Sequence, residues 1–350
     1  MERDSSDLRT VERTRVAVWL LCVCAMIYVM VLLGGITRLT YSGLSMVDWK
    51  PFSGWLPPLN AQEWEAVFAQ YRDYPEYKEL NAGMSLAEFK SIFWIEFIHR
   101  FWGRLIGVVF LVPFIFFFLR GWIGGRDLPK FLLMGVLGAL QGVLGWYMVK
   151  SGLVDHPDVS PYRLTAHLGL AIFIYAFVLW AALELLRLPE REGKSGWFGA
   201  FAPVVLIFVT IISGGFMAGS AAGFGYNTFP TMDGEWLPEG LYALEPFYAN
   251  FALDITTVQF NHRILAYCIV ALVFVYWAWV RATGKGARLK FSADLLLGAA
   301  LAQATLGVAT LLLLVPVPVA LLHQAGAVAL LSIAVWNAVE ILATEKPVPI

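Results

Sequence analysis

The sequence predicts an all-α integral membrane protein, with eight transmembrane helices forming two four-helix bundles related by a pseudo-two-fold axis. Three observations predict this class: the composition, eight long apolar segments and an internal repeat. Of the 350 residues, 59 % are hydrophobic and 15 % are charged, whereas soluble domains average about 45–50 % and about 25 %. The mean hydropathy is +0.68. The formal net charge of −1 gives no basic surface for a nucleic-acid partner, and none is predicted.

Eight apolar segments are each long enough to cross a hydrocarbon core of about 30 Å as a helix. Lys and Arg concentrate in the N-terminal tail and in every second connection, and the connections between spans 5 and 6 and between spans 7 and 8 contain none. Both termini are therefore expected in the cytoplasm. The polar N-terminal stretch is interpreted as a cytoplasmic tail rather than a transit or signal peptide. The predicted spans are 16–36, 92–119, 129–150, 163–186, 198–219, 255–280, 291–315 and 319–343.

Two long outer connections, 37–90 and 220–254, are rich in Trp, Tyr, Phe and Pro. Within the first, the pattern from Ala61 to Tyr71 predicts an amphipathic surface helix. Both connections are expected to cover the outer ends of the bundles. The three cysteines all fall inside predicted spans, so neither a disulfide nor a thiolate metal site is predicted.

The two halves of the chain repeat the same motifs in the same order. Span 2 carries E-F-I-H-R at 96–100, and span 6 carries Q-F-N-H-R at 259–263. Spans 3 and 7 each carry Gln with Gly four residues later, and spans 1 and 5 each end in a Gly pair. Four spans return the chain to the same side of the membrane, so the repeats are parallel. The predicted units are 1–190 and 191–350.

Four of the five histidines lie near the outer ends of even-numbered spans, and therefore at similar depth. A neutral imidazole is a good iron ligand, and two on facing helices of one bundle can hold a haem between them. The fifth, His156, is interpreted as a solvated loop residue. The repeat pairs the other four as His99 with His167 and His262 with His323.

Charged residues next to these histidines suggest roles of their own. Arg100 and Arg263 each follow a span histidine and are candidate partners for haem propionates. Glu96, matched by Gln259 in the second half, shares a helix face with the histidine three residues on. A carboxylate in a span is costly and usually functional, and it can accept or donate a proton. The first bundle is therefore expected to do chemistry and the second to hold a spectator or electron-relaying haem; the other interpretation of Glu96 is an ion pair with Arg100.

The motif at 96–100, together with G-G-I-T-R-L-T at 34–40 and S-G-L-S at 42–45, resembles the signature of the haem A synthase family. The resemblance covers nearly the whole chain. It implies oxidation of the C8 methyl of haem o to a formyl group by successive hydroxylations, giving haem a for terminal oxidases. It implies haem o at His99 and His167, a haem b cofactor with axial His262 and His323, and a glutamate, here Glu96, that is required for activity.

The resemblance also implies a cellular location and protein partners. It suggests a bacterial inner membrane, with the haem sites toward the periplasmic face, and it suggests haem o synthase and cytochrome oxidase assembly factors as partners, with an oligomer left open. Some bacterial members carry a cysteine pair in the outer loops. This chain has no loop cysteine and resembles the proteobacterial and mitochondrial branch, so a thiol-based electron route is not transferred to it.

Two other interpretations stay open from the residues alone. A di-haem quinol oxidoreductase would also hold two bis-histidine haems, although such proteins stack their haems across the membrane and these four histidines lie near one face. A transporter would also show parallel repeats, although its polar sites would lie near the midplane. The haem content of the purified protein separates all three.

Overall fold

The computed structural model describes residues 2–50, 53–153, 157–186, 197–283 and 286–344, and His156 lies outside them. Within these ranges the chain is helical and contains no strand. Eight helices are long and apolar enough to cross a membrane, which confirms the predicted class. The α-helices of the described ranges are α1 (Glu2–Leu39), α2 (Ala61–Arg72), α3 (Leu86–Leu119), α4 (Leu128–Gly152), α5 (Pro161–Leu186), α6 (Trp197–Gly219), α7 (Ile255–Ala282), α8 (Ala287–Leu312) and α9 (Val317–Thr344).

The helix α3 begins six residues before the predicted start of its span. Its first turn is fixed by a capping box, in which the Ser85 hydroxyl accepts from the Glu88 backbone N–H and the Glu88 carboxylate accepts from the Ser85 N–H. This arrangement satisfies two backbone donors that a helix start leaves open. The polar residues of this turn are outside the apolar segment, so hydropathy alone placed the boundary too late. As a result, α3 begins 13 residues before His99, whereas α5, α7 and α9 begin 6 or 7 residues before their histidines.

The spanning helices group by sequence order. In the first half α1 packs on α3 and α5, and α4 packs on α5; in the second half α6, α7, α8 and α9 pack as successive neighbours, with α9 returning to α6. These neighbours are consistent with two four-helix bundles. Between the halves, α1 meets α9, α5 meets α6, and α5 meets α9, as a pseudo-two-fold relation requires.

Side-chain contacts and small residues close the interface between the halves. The Tyr28 hydroxyl donates to the Ala325 carbonyl at 3.0 Å, and the Tyr175 hydroxyl lies 2.7 Å from the Ser332 Oγ. Gly35 allows close approach, because a Cβ there would lie 2.0 Å from the Gln324 Oε1. Small residues that let backbones approach are the usual means of helix association in membranes. A single hydrophobic core runs through both halves.

The connection 37–90 folds against the first turns of α3. The α2 helix, which begins after the Asn60 cap, confirms the amphipathic helix predicted at 61–71. Its apolar face packs against α3 and not against solvent. The contact is a cluster of aromatic side chains that we call the aromatic cap: Trp64, Phe68, Tyr71, Phe89, Phe93 and Phe97.

Candidate histidine-pair sites

Each of the four span histidines faces a glycine of the preceding spanning helix. A Cβ on Gly34 would lie 3.5 Å from the His99 Nε2, and a Cβ on Gly214 would lie 3.4 Å from the His262 Cε1. The fit is tighter in the other two cases. The corresponding Cβ on Gly145 would be 3.0 Å from the His167 Cε1, and on Gly307 it would be 2.9 Å from the His323 Cε1. The repeated glycines therefore make room for the imidazole rings.

The structure brings together the two histidines of each predicted pair. The His262 and His323 rings have centroids 6.5 Å apart, and their planes are nearly perpendicular at 80°. Imidazoles on opposite sides of one metal ion have centroids about 6 Å apart, since each metal–nitrogen bond is about 2 Å long. His99 and His167 lie close enough to interact electrostatically. All four side chains are half-buried, so each ring keeps some free surface between the helices.

The His262 ring is oriented by a serine on α6. The Ser213 hydroxyl donates to the Thr210 carbonyl at 3.1 Å and lies 2.6 Å from the His262 Nδ1. With its proton directed to Thr210, the Ser213 oxygen is free to accept from an Nδ1–H group. That tautomer leaves the lone pair of Nε2 available for a metal, as second-sphere partners of metal-binding histidines commonly do. The residue matching Ser213 in the first half is Leu33, and no described residue hydrogen-bonds to the His99 ring.

A glutamine contacts the second histidine of each pair, and it takes the opposite role from Ser213, because an amide Nε2 only donates and the ring nitrogen beside it accepts. The Gln141 Nε2 lies 3.1 Å from the His167 Nδ1 and donates to the His167 carbonyl at 3.0 Å. The Gln303 Nε2 lies 3.1 Å from the His323 Nδ1 and donates to the His323 carbonyl at 2.9 Å. In both glutamines, Oε1 is buried without a hydrogen-bond partner. Because both glutamines leave Oε1 without a partner at equivalent positions, the two halves share one arrangement of the site.

The Glu96 carboxylate lies in a polar pocket formed by α3 and the connection 37–90. Its side chain is 2 % exposed. The Ser45 hydroxyl donates to Oε2 at 2.7 Å, the Met46 backbone N–H donates to Oε2 at 2.8 Å, and the Arg100 guanidinium pairs with Oε1 at 2.5 Å. The ion pair with Arg100 is therefore present, and it is accompanied by two further donors from the outer loop. This carboxylate is fixed in position one helical turn from His99.

In the second half, Gln259 occupies the matching place with different partners. Its Nε2 donates to the carbonyls of Ala222 at 3.0 Å and Tyr226 at 3.1 Å, so the amide anchors the second outer loop. Arg263 donates to the Thr231 and Tyr226 carbonyls, as Arg100 donates to the Met46 and Asp48 carbonyls. Both arginines thus tie a loop to a helix. The second site has the same scaffold as the first but no carboxylate.

Several of these contacts were not visible in the sequence pattern. The sequence marks the glutamines only as repeat positions, and it does not predict the contacts of Ser213 or of Ser45 and Met46. A position-by-position comparison of the repeats would have shown Ser213 opposite Leu33. Nothing local marks Ser45 as a partner of Glu96, since 51 residues separate them.

The chemistry of the donors fits a haem better than a bare ion. Among the described residues, no group of three or more His, Cys, Asp or Glu is placed to hold a metal ion. A pair of imidazoles supplies the two axial ligands that haem iron takes from a protein, because the porphyrin supplies the other nitrogens. The Arg263 Nε is also buried without a partner, and a propionate oxygen would satisfy it.

Eight spanning helices with two histidine pairs at matched positions define a multi-pass membrane protein of the haem-holding class. A family model described as "Cytochrome oxidase assembly protein" matches residues 17–335. The chain is 48 % identical over 340 residues to the "Heme A synthase" of Nitrosospira multiformis, covering 95 % of this chain and 94 % of that one. It is 49 % identical over 338 residues to the "Heme A synthase" of Paramagnetospirillum magneticum, covering 95 % of each.

A mammalian relative shows the same likeness. The chain is 44 % identical over 340 residues to "Heme A synthase COX15" of Mus musculus, covering 94 % of this chain and 82 % of that one. The chain belongs to the haem A synthase family, which makes haem a from haem o. The resemblance stated from the motifs is thereby confirmed. The protein is an oxidoreductase of haem biosynthesis, built as a multi-pass membrane protein.

Proposed function

We propose that the two halves divide the work of converting haem o to haem a. The first half, 1–190, binds haem o through His99 and His167 and oxidises its C8 methyl to a formyl group. The second half, 191–350, holds haem b through His262 and His323. The observation that carries this division is a difference between two sites whose histidines, glycines and glutamines match: a buried carboxylate stands in the first where the second has Gln259.

Glu96 is proposed as the group that acts at the reacting carbon. A carboxylate held by Ser45, Met46 and Arg100 has its charge and position set before substrate arrives, which is the condition for electrostatic stabilisation. Its negative charge favours positive charge developing at the oxidised methyl carbon, and the same oxygens accept a proton released there. Arg100 binds both the carboxylate and the loop, so a movement of Arg100 or of the loop would displace the Glu96 carboxylate.

The second half is proposed to hold a cofactor and not a substrate. Bound haem b supplies one-electron transfer. The chain's own contribution is orientation: Ser213 fixes His262, and Gln303 fixes His323. The amide of Gln259 is committed to two loop carbonyls, and an amide is not a base at neutral pH. The partnerless Nε of Arg263 supports a role in binding a propionate, and Arg100 is proposed to do the same in the first half.

We also propose a location and an orientation. The positive-inside pattern supports cytoplasmic termini and sites toward the periplasmic face of a bacterial inner membrane. Reporter fusions test this: alkaline phosphatase fused within 220–254 should be active, and the same fusion after 344 should be inactive. Activity in the reverse order would overturn the orientation. Haem o synthase and oxidase assembly factors are proposed as partners because they would supply the substrate and use the product.

The experiment that tests the function is haem extraction from the purified protein, made in a host that also expresses a haem o synthase. The extract is separated by chromatography with mass detection. Haem b together with haem o and haem a is the expected result. Haem b alone, at two per chain, would replace the proposal with a di-haem electron-transfer protein, and the absence of haem would favour a transporter.

A further inference from the structure

A second buried carboxylate lies in the outer connection that covers the first site. Glu76 opens a single π-helical turn, Glu76–Leu80, and is 3 % exposed. Its Oε2 is buried without a hydrogen-bond partner. The next turn residues, Lys78 and Glu79, are exposed. One turn of chain therefore separates this carboxylate from the water outside.

Glu76 lies close to Tyr71, a member of the aromatic cap. Tyr71 is fully buried and packs on Phe89, with ring centroids 5.1 Å apart. Its hydroxyl accepts from the Asn81 Nδ2 at 2.7 Å and lies near enough to the Glu76 carboxylate to lower the pKa of that group. The polar chain Asn81–Tyr71–Glu76 thus runs through an otherwise apolar cluster. Buried polar groups of this kind are expensive unless they serve a purpose.

The cap and the Glu96 pocket are parts of one assembly. The Met46 side chain packs against the cap, while its backbone N–H donates to the Glu96 Oε2. Phe93 and Phe97 of the cap flank Glu96 on α3. The negative charge of Glu96 acts electrostatically on both Glu76 and Tyr71. Two buried acids therefore share one poorly screened region.

Burial is the main reason that the pKa of Glu76 is raised to about 7; the nearby Tyr71 hydroxyl opposes the shift, and the charge of Glu96 adds to it. The charged and titratable groups facing Glu76 are Tyr71 from α2 and Glu96 from α3, the latter paired with Arg100. On its own turn, the Lys78 ammonium is turned away to the Asp73 carbonyl. A carboxyl group with this pKa exchanges its proton readily at neutral pH.

The second half has no counterpart. Among the described residues, the buried carboxylates are Glu76, Glu96 and Glu340, and the last lies near the opposite end of α9. The second outer loop buries an amide, Asn250, whose Nδ2 donates to two loop carbonyls. The pair of buried acids is therefore specific to the half that is proposed to do chemistry.

We propose that Glu76 is the proton-exchange group of the first site, taking up the proton that Glu96 accepts and returning it to the water outside the turn. This inference rests on the proposed function. Turning a methyl into a formyl carbon breaks two C–H bonds; where the bonding electrons pass to the electron acceptor of the reaction, the hydrogens leave the enclosed site as protons. In each transfer the O–H bond on Glu96 breaks, an O–H bond forms on Glu76, and that proton then passes to water. Glu96 returns to its carboxylate form, and no electron moves in the step.

The test compares Glu76→Gln with Glu79→Gln, which removes an exposed acid from the same turn. Haem a formation is followed against pH in membranes containing each protein. In the unsubstituted protein the rate should fall as the pH drops below neutrality, since a protonated Glu76 cannot accept. Glu76→Gln should lower the rate about 100-fold, the lower end of what a positioned acid–base group contributes, and should lose this acid limb. Glu79→Gln should change neither, and Glu76→Asp should restore part of both.

A second measurement does not depend on turnover. Infrared difference spectra between acid and neutral pH should show a protonated-carboxyl band that titrates near neutrality and that Glu76→Gln removes. Haem content must match the unsubstituted protein, which shows that the variant folds. If the unsubstituted protein makes haem a while Glu76→Gln keeps its rate, acid limb and band, the proton-exchange role is wrong and the proposed function stands. If the unsubstituted protein makes no haem a, the proposed function itself is wrong.

Discussion

Adding one methyl group at Gly307 should selectively weaken the second haem site. A Cβ there would lie 2.9 Å from the His323 Cε1 and 3.5 Å from its Nδ1. Ordinary van der Waals contact begins near 3.4 Å, so the ring or the helix must move by ~0.5 Å, about the tolerance of a preorganised site. The ring cannot yield freely, because Gln303 contacts its Nδ1.

The expected cost follows from overpacking. Extra methyl groups in well-packed positions cost about 1–3 kcal/mol. Since about 1.4 kcal/mol corresponds to a factor of ten in affinity, Gly307→Ala should weaken haem b binding by about 5- to 150-fold. The loss is confined to the second half, because His99 and His167 do not contact α8 Gly307.

The assay is a haem titration of the haem-depleted protein, followed by the absorbance of the bound haem. Gly298→Ala on the same helix is the matched control, because a Cβ there meets nothing within 4 Å and it brings the same gain in helix propensity. Gly145→Ala, whose Cβ would be 3.0 Å from the His167 Cε1, should instead weaken haem o binding. Equal haem b affinities for the Gly307→Ala and Gly298→Ala proteins would refute the assigned position of His323.

Three further substitutions have defined outcomes. Ser213→Ala removes a hydrogen bond worth about 1 kcal/mol from the Nδ1 of His262, so the haem b reduction potential should rise by about 40 mV in a redox titration; an unchanged potential would show that Ser213 does not tune the ligand. His262→Ala should lose the low-spin b-type spectrum, and a full spectrum would remove His262 from the ligand set. Ser45→Ala removes one donor to Glu96 and should lower haem a formation about tenfold without changing haem content; a normal rate would mean that the Met46 N–H and Arg100 suffice.

The sequence predicted what depends on local pattern. Apolar length located all eight spans, because a helix in lipid must satisfy its own backbone. The repeat predicted the two histidine pairs, and helical spacing predicted that Glu96 and Arg100 can meet. These features follow from neighbouring residues or from a comparison of one half with the other. Hydropathy does not mark the start of α3, which is determined by the capping box of Ser85 and Glu88.

Apolar length, the repeat and helical spacing do not predict contacts between segments that are distant in the sequence. The burial of Glu76 is the clearest case: it lies in a stretch with Asp73, Lys78 and Glu79 that resembles a solvated loop. Only the packing of α2 on the first turns of α3 brings it close to Tyr71 of an aromatic cluster. Likewise, the donors to Glu96 come from a loop whose path no local pattern determines. These contacts depend on how the loops fold back onto the helices, which secondary structure alone does not determine.

The second half provides a natural precedent for the decisive substitution. Gln259 shows that an amide fits at this place in the scaffold, with the Arg263 Nη2 donating to its Oε1 at 3.4 Å. Glu96→Gln should therefore preserve folding and haem binding while removing the negative charge and the proton acceptor. Because Glu96→Gln changes the charge of the side chain but not its shape, it separates an effect on the reaction from an effect on folding or haem binding.

The most direct test of the central claim is the haem content of the Glu96→Gln protein, purified from a host that makes haem o. Extracted haems are separated and quantified beside those of the unsubstituted protein. The division of labour between the halves predicts unchanged haem b, retained haem o and no haem a. Haem a at the level of the unsubstituted protein would contradict it and would remove Glu96 from the reaction.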